Sequence, residues 1–202
     1  RWPELFDCDS LTIIDRDDQL QLMKLARATC VGRDAAFPKS AELANYNSYA
    51  RNANRSVKDY LTEFTDHEED AIERIGTVLE EYTSRKRDCR YFDYDDILHL
   101  FARQLHRRRV VRDKMRTRFD HILVDEMQDT NPLQWLILDG IRDPARLFCV
   151  GDDAQSIYAF RGADFQNVHA FTTRIPGSTV LKLQENFRST QEILDLSNWL
   201  LE

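Results

Sequence analysis

Glycine is scarce in this sequence, and none of its six glycines is followed by lysine. A phosphate-binding loop of the GxxxxGK(S/T) type needs that pair, because the lysine and the backbone N–H groups of the loop together hold the phosphates. The 202 residues therefore contain no such loop. We expect the chain by itself to bind nucleotides poorly.

Paired cysteines and long apolar runs are also missing. The widely spaced Cys8, Cys30, Cys89 and Cys149 form no CxxC pair, which argues against a zinc site or a disulfide framework. No apolar run approaches the roughly 18 residues of a membrane span, and the first residues do not resemble a signal peptide. We therefore expect a reducing, cytoplasmic compartment and no membrane partner.

What is present is the composition of a globular chain. With 42% hydrophobic and 31% charged residues, it can bury a sizeable core in one or two domains. Arg1 is not an initiator methionine, so we expect an internal piece of a longer protein. The net charge of −7 argues against overall attraction to nucleic acid. Basic residues are nevertheless concentrated between Arg85 and Arg118; such a stretch can follow phosphates, but a solvated helical face with salt bridges is the commoner explanation.

The most informative stretch is HILVDEMQDTN, residues 121–131. The apolar run 122–124 predicts a buried strand, and Asp125 and Glu126 stand where it ends. The carboxyl ends of strands in open α/β sheets face the ligand crevice, so one carboxylate could hold Mg²⁺ while the other polarises a water. By residue types alone, a solvated strand end explains the pair equally well. Thr130 or Asn131 can cap a following helix.

Three ordered blocks resemble motifs of superfamily 1 DNA helicases of the UvrD, PcrA and Rep type. They are DExQDTNxxQ at 125–134, GDDAQSIYAFRGAD at 151–164 and QENFRST at 184–190. The resemblance is clear over residues 92–199 and looser before them. In this family the phosphate-binding loop lies upstream of the point that corresponds to Arg1.

The resemblance implies an α/β fold, namely part of the parallel sheet of a RecA-like P-loop NTPase with a helical insertion subdomain. Residues 1–16 would end the first part of domain 1A, and 17–89 would form the helical subdomain 1B. Residues 90–182 would form the second part of domain 1A with motifs II and III, and 183–202 would begin domain 2A with motif IV.

The residue pattern adds its own expectations about local structure. It predicts strands at 11–14, 122–124, 146–150 and 179–183, and helices after Asp15, from a Ser40 cap, and over 66–86, 94–109 and 132–141. Strands alternating with helices predict an open, parallel, doubly wound sheet. The acids 93–96 resemble a family segment but are equally explained as helix caps, and we interpret them as structural.

Two further side chains could act on a phosphate. Gln155 lies four residues past a predicted strand end, a reach suited to a terminal phosphate, and the resemblance implies contact with the γ-phosphate. Arg188 could neutralise a transferring phosphoryl group as an arginine finger does. A salt bridge from Arg188 to Glu185 or Glu192 is the ordinary alternative.

Site roles follow from the resemblance. It implies that Glu126, Gln155 and Arg188 are catalytic, that Asp125 binds Mg²⁺, and that ATP is the nucleotide. The implied cofactor-binding residues are Asp125, Gln128, Phe187 and Arg188. At the position of Phe187, relatives often carry a tyrosine that stacks on adenine, so here the ring is kept and the hydroxyl is lost.

The resemblance implies a DNA contact after the strand predicted at 146–150. Tyr158, Phe160 and Arg161 offer rings and a guanidinium that can stack on bases and pair with phosphates of a single strand. Rings spaced in this way can equally be core residues, and many relatives carry tryptophan in place of Phe160. Because Gln155 and Phe160 share one short segment, loss of the γ-phosphate could shift the ring against a base.

The leading hypothesis is therefore a piece of an ATP-dependent DNA helicase that moves 3′ to 5′ on single-stranded DNA and unwinds duplex DNA. The piece alone should be inactive. One alternative is the motor of a helicase-nuclease of the same superfamily, which sequence beyond Glu202 would decide. Another is a non-catalytic DNA-binding module that lost the loop, which an upstream GKT loop would exclude.

Overall fold

A computed structural model of the chain describes residues 11–155, 168 and 170–201. Strand β1 (Thr12–Ile13) leads into helices α1 (Arg16–Val31), α2 (Ser40–Asn52), α3 (Val57–Phe64) and α4 (Glu69–Cys89). Strand β2 (Tyr91–Phe92) precedes α5 (Tyr94–Arg107) and α6 (Arg109–Arg116). Strand β3 (His121–Val124), α7 (Pro132–Ile141) and β4 (Arg146–Cys149) follow. Two further helices span Phe171–Arg174 and Gln191–Leu201.

Helices α1 to α4 share one hydrophobic core. Helix α1 packs against α2 and α4, and α3 packs against the same two helices. The apolar residues of α4 that the sequence placed on one side are all buried, from Ile72 to Tyr82. They meet Met23, Leu43 and Leu61 from the other three helices. The apolar side of α4 is therefore confirmed as a core face. In α1, Met23 and Ala26 are buried but Leu25 is 55% exposed. The domain boundaries at residues 17 and 89 stay predictions.

Several helix ends differ from the sequence prediction. Asp15 does cap α1, accepting a bond from the Asp18 N–H, but Ser40 is the first residue of α2 rather than its cap. Helix α3 was not predicted; its start is set by the Ser56 side chain, which caps it. The helix predicted over 94–109 ends at Arg107, because Arg108 adopts an extended conformation and separates α5 from α6.

The strands form two small parallel sheets in the part of the chain that the structure describes. Strand β1 pairs with β2, and β3 pairs with β4 in the register His121 to Arg146 through Val124 to Cys149. The predicted β3 and β4 and their parallel pairing are confirmed. A single open sheet is not confirmed: among residues 170–201, the segment 179–183, which was predicted as a strand, forms no strand, and Leu183 is 95% exposed.

Strand β3 is also less buried than predicted. Leu123 is 75% exposed and Phe148 of β4 is 59% exposed, so one face of this pair of strands is uncovered. The reason is that no described element packs on that face, and a strand is buried on both sides only when both sides are covered.

A buried polar cluster connects α4 to the start of α5. The Lys86 ammonium lies 2.6 Å from an Asp93 carboxylate oxygen, and each side chain is only 3% exposed. Asp93 and Asp96 form a capping box at the start of α5, which confirms the structural interpretation of these acids. Tyr82 donates its hydroxyl hydrogen to Asp93 at 2.7 Å. Burial raises the pKa of Asp93, but the Lys86 charge and these hydrogen bonds outweigh it and hold that pKa below its ordinary value.

Candidate active site at the carboxyl ends of β3 and β4

The segment between β3 and α7 positions the acid pair. Asp125 and Glu126 follow Val124 and are both exposed. Glu126 adopts φ 51° and ψ 46°, a left-handed conformation that is uncommon for a residue other than glycine. This conformation turns the chain sharply into a 3₁₀ turn at Met127–Asp129. Strain of this kind persists only where surrounding contacts hold it, and it is common at functional sites.

Helix α7 starts as the sequence predicted. Asn131 accepts a bond from the Gln134 N–H, and the Gln134 side chain accepts one from the Asn131 N–H, which makes a capping box with Pro132 at the first helical position. Of the two candidate caps, Asn131 is therefore the one used. Strand, acid pair and helix start lie within one continuous segment.

Gln128 holds the ends of the two strands together. Its side chain is almost fully buried, its amide donates to a Glu126 carboxylate oxygen at 2.7 Å, and its carbonyl oxygen accepts from the Asp152 N–H at 3.1 Å. The Met127 N–H also donates to the Val150 carbonyl at 2.9 Å. The sequence predicted that Gln128 binds the cofactor; the structure shows it orienting Glu126, and direct cofactor contact stays a prediction.

Gly151 is required by this arrangement. A Cβ atom at residue 151 would lie 2.9 Å from the Gln128 side-chain oxygen and 3.3 Å from its backbone nitrogen. A larger residue would therefore push against the side chain that orients Glu126. The sequence signal was a glycine directly after a strand, which marks close approach of another backbone.

Gln155 lies beyond the end of β4, on the edge of the sheet that also carries the acid pair. Its side-chain amide donates to an Asp152 carboxylate oxygen at 2.7 Å, and the other Asp152 oxygen accepts from the Ala154 N–H. Gln155 is exposed. Asp152, which sequence reasoning did not select, thus orients Gln155 as Gln128 orients Glu126.

The local electrostatics suit a positively charged ligand. Partial burial and then the Glu126 charge raise the pKa of Asp129. One Asp129 carboxylate oxygen is buried and has no hydrogen-bond partner in the structure. The Cys149 thiol at the end of β4 is no candidate nucleophile, because burial raises its pKa to about 11.

The donor set fits a magnesium ion that keeps much of its water. Within the described residues, no group of three or more His, Cys, Asp or Glu side chains could hold a metal by itself. Mg²⁺ is commonly bound through one or two carboxylates together with waters and substrate phosphates. The exposed carboxylate of Asp125 is suited to that mode, with Glu126 beside it.

The remaining predicted residues are not brought to this site by the described structure. Phe187 is 92% exposed, and Arg188 forms no ion pair with Glu185, Glu192 or the acid pair among residues 11–155 and 170–201. Asn186 accepts bonds from the N–H groups of Arg188 and Ser189, which shapes the turn there. Tyr158, Phe160 and Arg161 lie outside the described residues.

Comparison with known proteins agrees with the geometry of the site. Residues 7–176 match the family described as the UvrD/REP helicase N-terminal domain. This match covers most of the chain and includes the acid pair, Gln128 and Gln155. The chain therefore belongs to the UvrD/REP helicase N-terminal domain family, as the sequence motifs predicted.

Individual relatives are similar along most of the chain. The ATP-dependent DNA helicase UvrD1 of Mycobacterium tuberculosis (strain ATCC 25618 / H37Rv) is 34% identical over 202 residues, which is 94% of this chain and 25% of that protein. DNA helicase II of Escherichia coli (strain K12) is 31% identical, over 94% of this chain and 26% of that protein. The chain thus spans about a quarter of the length of these relatives. None of the described helices is long and apolar enough to cross a membrane.

Proposed function

We propose that this chain forms part of the motor of an ATP-dependent DNA helicase, and that the protein couples ATP hydrolysis to movement on single-stranded DNA and unwinding of duplex DNA. One observation carries the proposal: an exposed acid pair at the end of β3, oriented by a buried glutamine that also binds the end of β4. Such an arrangement suits Mg²⁺-dependent attack of water on a phosphate.

Each side chain of the site has a proposed task. Asp125 holds Mg²⁺, which when bound neutralises charge on the nucleotide phosphates. Glu126 accepts a proton from the attacking water, and Gln128 keeps the Glu126 carboxylate turned towards it. Gln155 contacts the γ-phosphate from the end of β4. Arg188 neutralises charge on the transferring group from the opposite side of a cleft, and this requires the segment around 186–190 to approach the β3–β4 edge.

The fold and substrate assignments extend the same proposal. The pair β3–β4 is part of a RecA-like parallel sheet, with α1 to α4 as its helical insertion subdomain 1B and residues 183–202 at the start of domain 2A. Phe187 stacks on adenine, while Tyr158, Phe160 and Arg161 contact single-stranded DNA. Movement is 3′ to 5′ and the location is cytoplasmic. Family membership and the named helicase relatives support the assignment to ATP and DNA. The subdomain limits, the contact residues, the direction of movement and the location rest on the sequence motifs and composition alone.

The test is ATP hydrolysis with and without single-stranded DNA, on the 202-residue chain and on the full-length protein. The chain alone, which contains no GK pair, should not hydrolyse ATP. The full-length protein should hydrolyse ATP faster with DNA, and Glu126→Gln should remove that activity while ATP binding remains. If a well-folded full-length protein does not hydrolyse ATP with DNA and Mg²⁺ present, the helicase assignment is rejected.

A further inference from the structure

The α5–α6 corner, residues 103–118, is the most strongly charged surface that the proposed mechanism does not use. It carries eight Arg or Lys residues and a single acid, Asp113, in a chain whose net charge is −7. Arg103, Arg107, Arg108 and Arg109 are exposed. The positive charge is therefore concentrated against the trend of the whole molecule.

Salt bridges do not account for the charges of Arg103 and Arg107. Within the corner, Arg109 pairs with Asp113 at 3.3 Å and Arg116 pairs with Asp143 at 3.6 Å. The first is exposed on both sides, and exposed pairs contribute little. No carboxylate of the described chain pairs with Arg103 or Arg107. The interpretation of this stretch as a face of salt bridges therefore does not extend to Arg103 and Arg107.

Helix stability does not account for these charges either. Arg103 and Arg107 are four residues apart on α5, and like charges at that spacing repel. Helix α6 begins with Arg109 and has no acid in its first turn, so positive charge lies at the helix end where the dipole disfavours it. A cluster that is costly to its own helices is best explained by an anionic partner.

The corner is separate from the candidate active site. The His106 ring nitrogen lies 2.9 Å from the Leu136 carbonyl oxygen, and Arg116 donates to the Gly140 carbonyl oxygen at 3.1 Å. These contacts place the corner beside the middle and the carboxyl end of α7. The acid pair precedes the amino end of α7, which lies about 6 Å along the helix axis from Leu136 and about 12 Å from Gly140 at 1.5 Å per residue.

We infer that the α5–α6 corner is a second nucleic-acid contact, in which Arg103 and Arg107 bind the sugar-phosphate backbone of DNA independently of sequence. Their four-residue spacing on one helix face separates them by about 6 Å along the axis. Guanidinium groups suit phosphate oxygens because they can donate two parallel hydrogen bonds. The inference rests on the proposed function, since it assumes that the protein meets DNA.

The experiment measures DNA binding by fluorescence anisotropy with the full-length protein, without nucleotide, at several salt concentrations. The test variant is Arg103→Gln/Arg107→Gln. The matched control is Lys24→Gln/Arg33→Gln, which removes the same charge from exposed positions on α1 and the loop after it. A single-stranded oligonucleotide and a duplex of the same length form separate arms, and the arm with the larger loss identifies the bound form.

If each arginine neutralises one phosphate, the plot of log association constant against log salt concentration should be less steep for the variant than for wild type. The difference in the magnitude of the slope should be about 1.4 on the single strand or about 1.8 on the duplex. At 0.1 M salt this corresponds to about 25-fold or about 60-fold weaker binding than wild type. Wild-type affinity and slope in the Arg103→Gln/Arg107→Gln variant would overturn the inference, as would an equal loss in the control. Wild-type protein that binds neither DNA would overturn the proposed function as well, so the two failures are distinguishable.

Discussion

Replacing Lys86 by methionine tests how the helical core is joined to α5. Lys86 and Asp93 are each only 3% exposed, and the ammonium nitrogen lies 2.6 Å from the carboxylate oxygen. Methionine has nearly the same length, so the main loss is the charge that compensates a buried carboxylate. Breaking a buried pair in this way costs about 3–5 kcal/mol, whereas an exposed pair would cost about 1 kcal/mol or less.

The assay is urea unfolding of the chain followed by far-ultraviolet circular dichroism. With a slope of about 2 kcal/mol per molar urea, the midpoint of Lys86→Met should fall by about 2 M. Lys86→Met/Asp93→Asn should recover much of this loss, because asparagine still caps α5 and Asp96, the second carboxylate beside Lys86, keeps its ion pair with Arg51. Lys24→Met, at an exposed position of α1, is the control and should change stability by less than about 0.5 kcal/mol.

The pH dependence of the free energy of unfolding gives an independent check of how Lys86 acts on Asp93. The folded-state pKa of Asp93 is lowered, so its contribution to stability is present above the unfolded-state pKa and is lost as the pH falls through the folded-state value. Removing Lys86 removes the largest influence that lowers the pKa of Asp93, so the variant has less of this contribution to lose. The stability gap between wild type and Lys86→Met should therefore narrow in acid. A loss below about 1 kcal/mol at neutral pH, or a gap that widens in acid, would refute the reasoning.

Three further predictions concern the candidate active site in the full-length protein. Glu126→Gln should lower DNA-stimulated ATP hydrolysis by about 10²- to 10⁴-fold without loss of ATP binding, and normal turnover would remove Glu126 from the role of base. Gly151→Ala should cost about 1–3 kcal/mol of stability and lower kcat, because its Cβ would displace Gln128; unchanged urea unfolding and kcat would contradict this packing. Gln155→Ala should lower both ATP hydrolysis and unwinding by about 10²-fold, and a variant that keeps both would exclude coupling through this segment.

Local signals predicted much of the chain because they depend on neighbouring residues alone. The apolar runs gave β3 and β4 within a residue or two, and Asn131 with Pro132 located the start of α7. The short helix α3 was missed because its sequence lacks a long apolar stripe; its single fully buried residue is Leu61. The break between α5 and α6 was missed because nothing in a run of arginines marks Arg108 as extended.

In the candidate active site, too, some features could be predicted from neighbouring residues and others could not. Asp125, Glu126 and Gln155 were recognisable from motif spacing, since strand ends bring such residues to one edge of a sheet. The task of Gln128 was not recognisable, because its partner Asp152 is distant in sequence and meets it only when β3 pairs with β4. The left-handed conformation of Glu126 was likewise not predicted from the sequence.

The sequence by itself determined the family, the order of strand, acid pair and helix, and the concentration of charge between residues 103 and 118. These properties depend only on the types of the residues and their spacing along the chain. Only the tertiary structure decided that Lys86 is buried against Asp93, that Gln128 joins two strand ends, and that the basic corner lies beside the middle and the carboxyl end of α7. Each of these features depends on contacts between residues that are distant in sequence. Such contacts form only when folding brings the chain segments together and offsets the entropy cost of closing the loop between them.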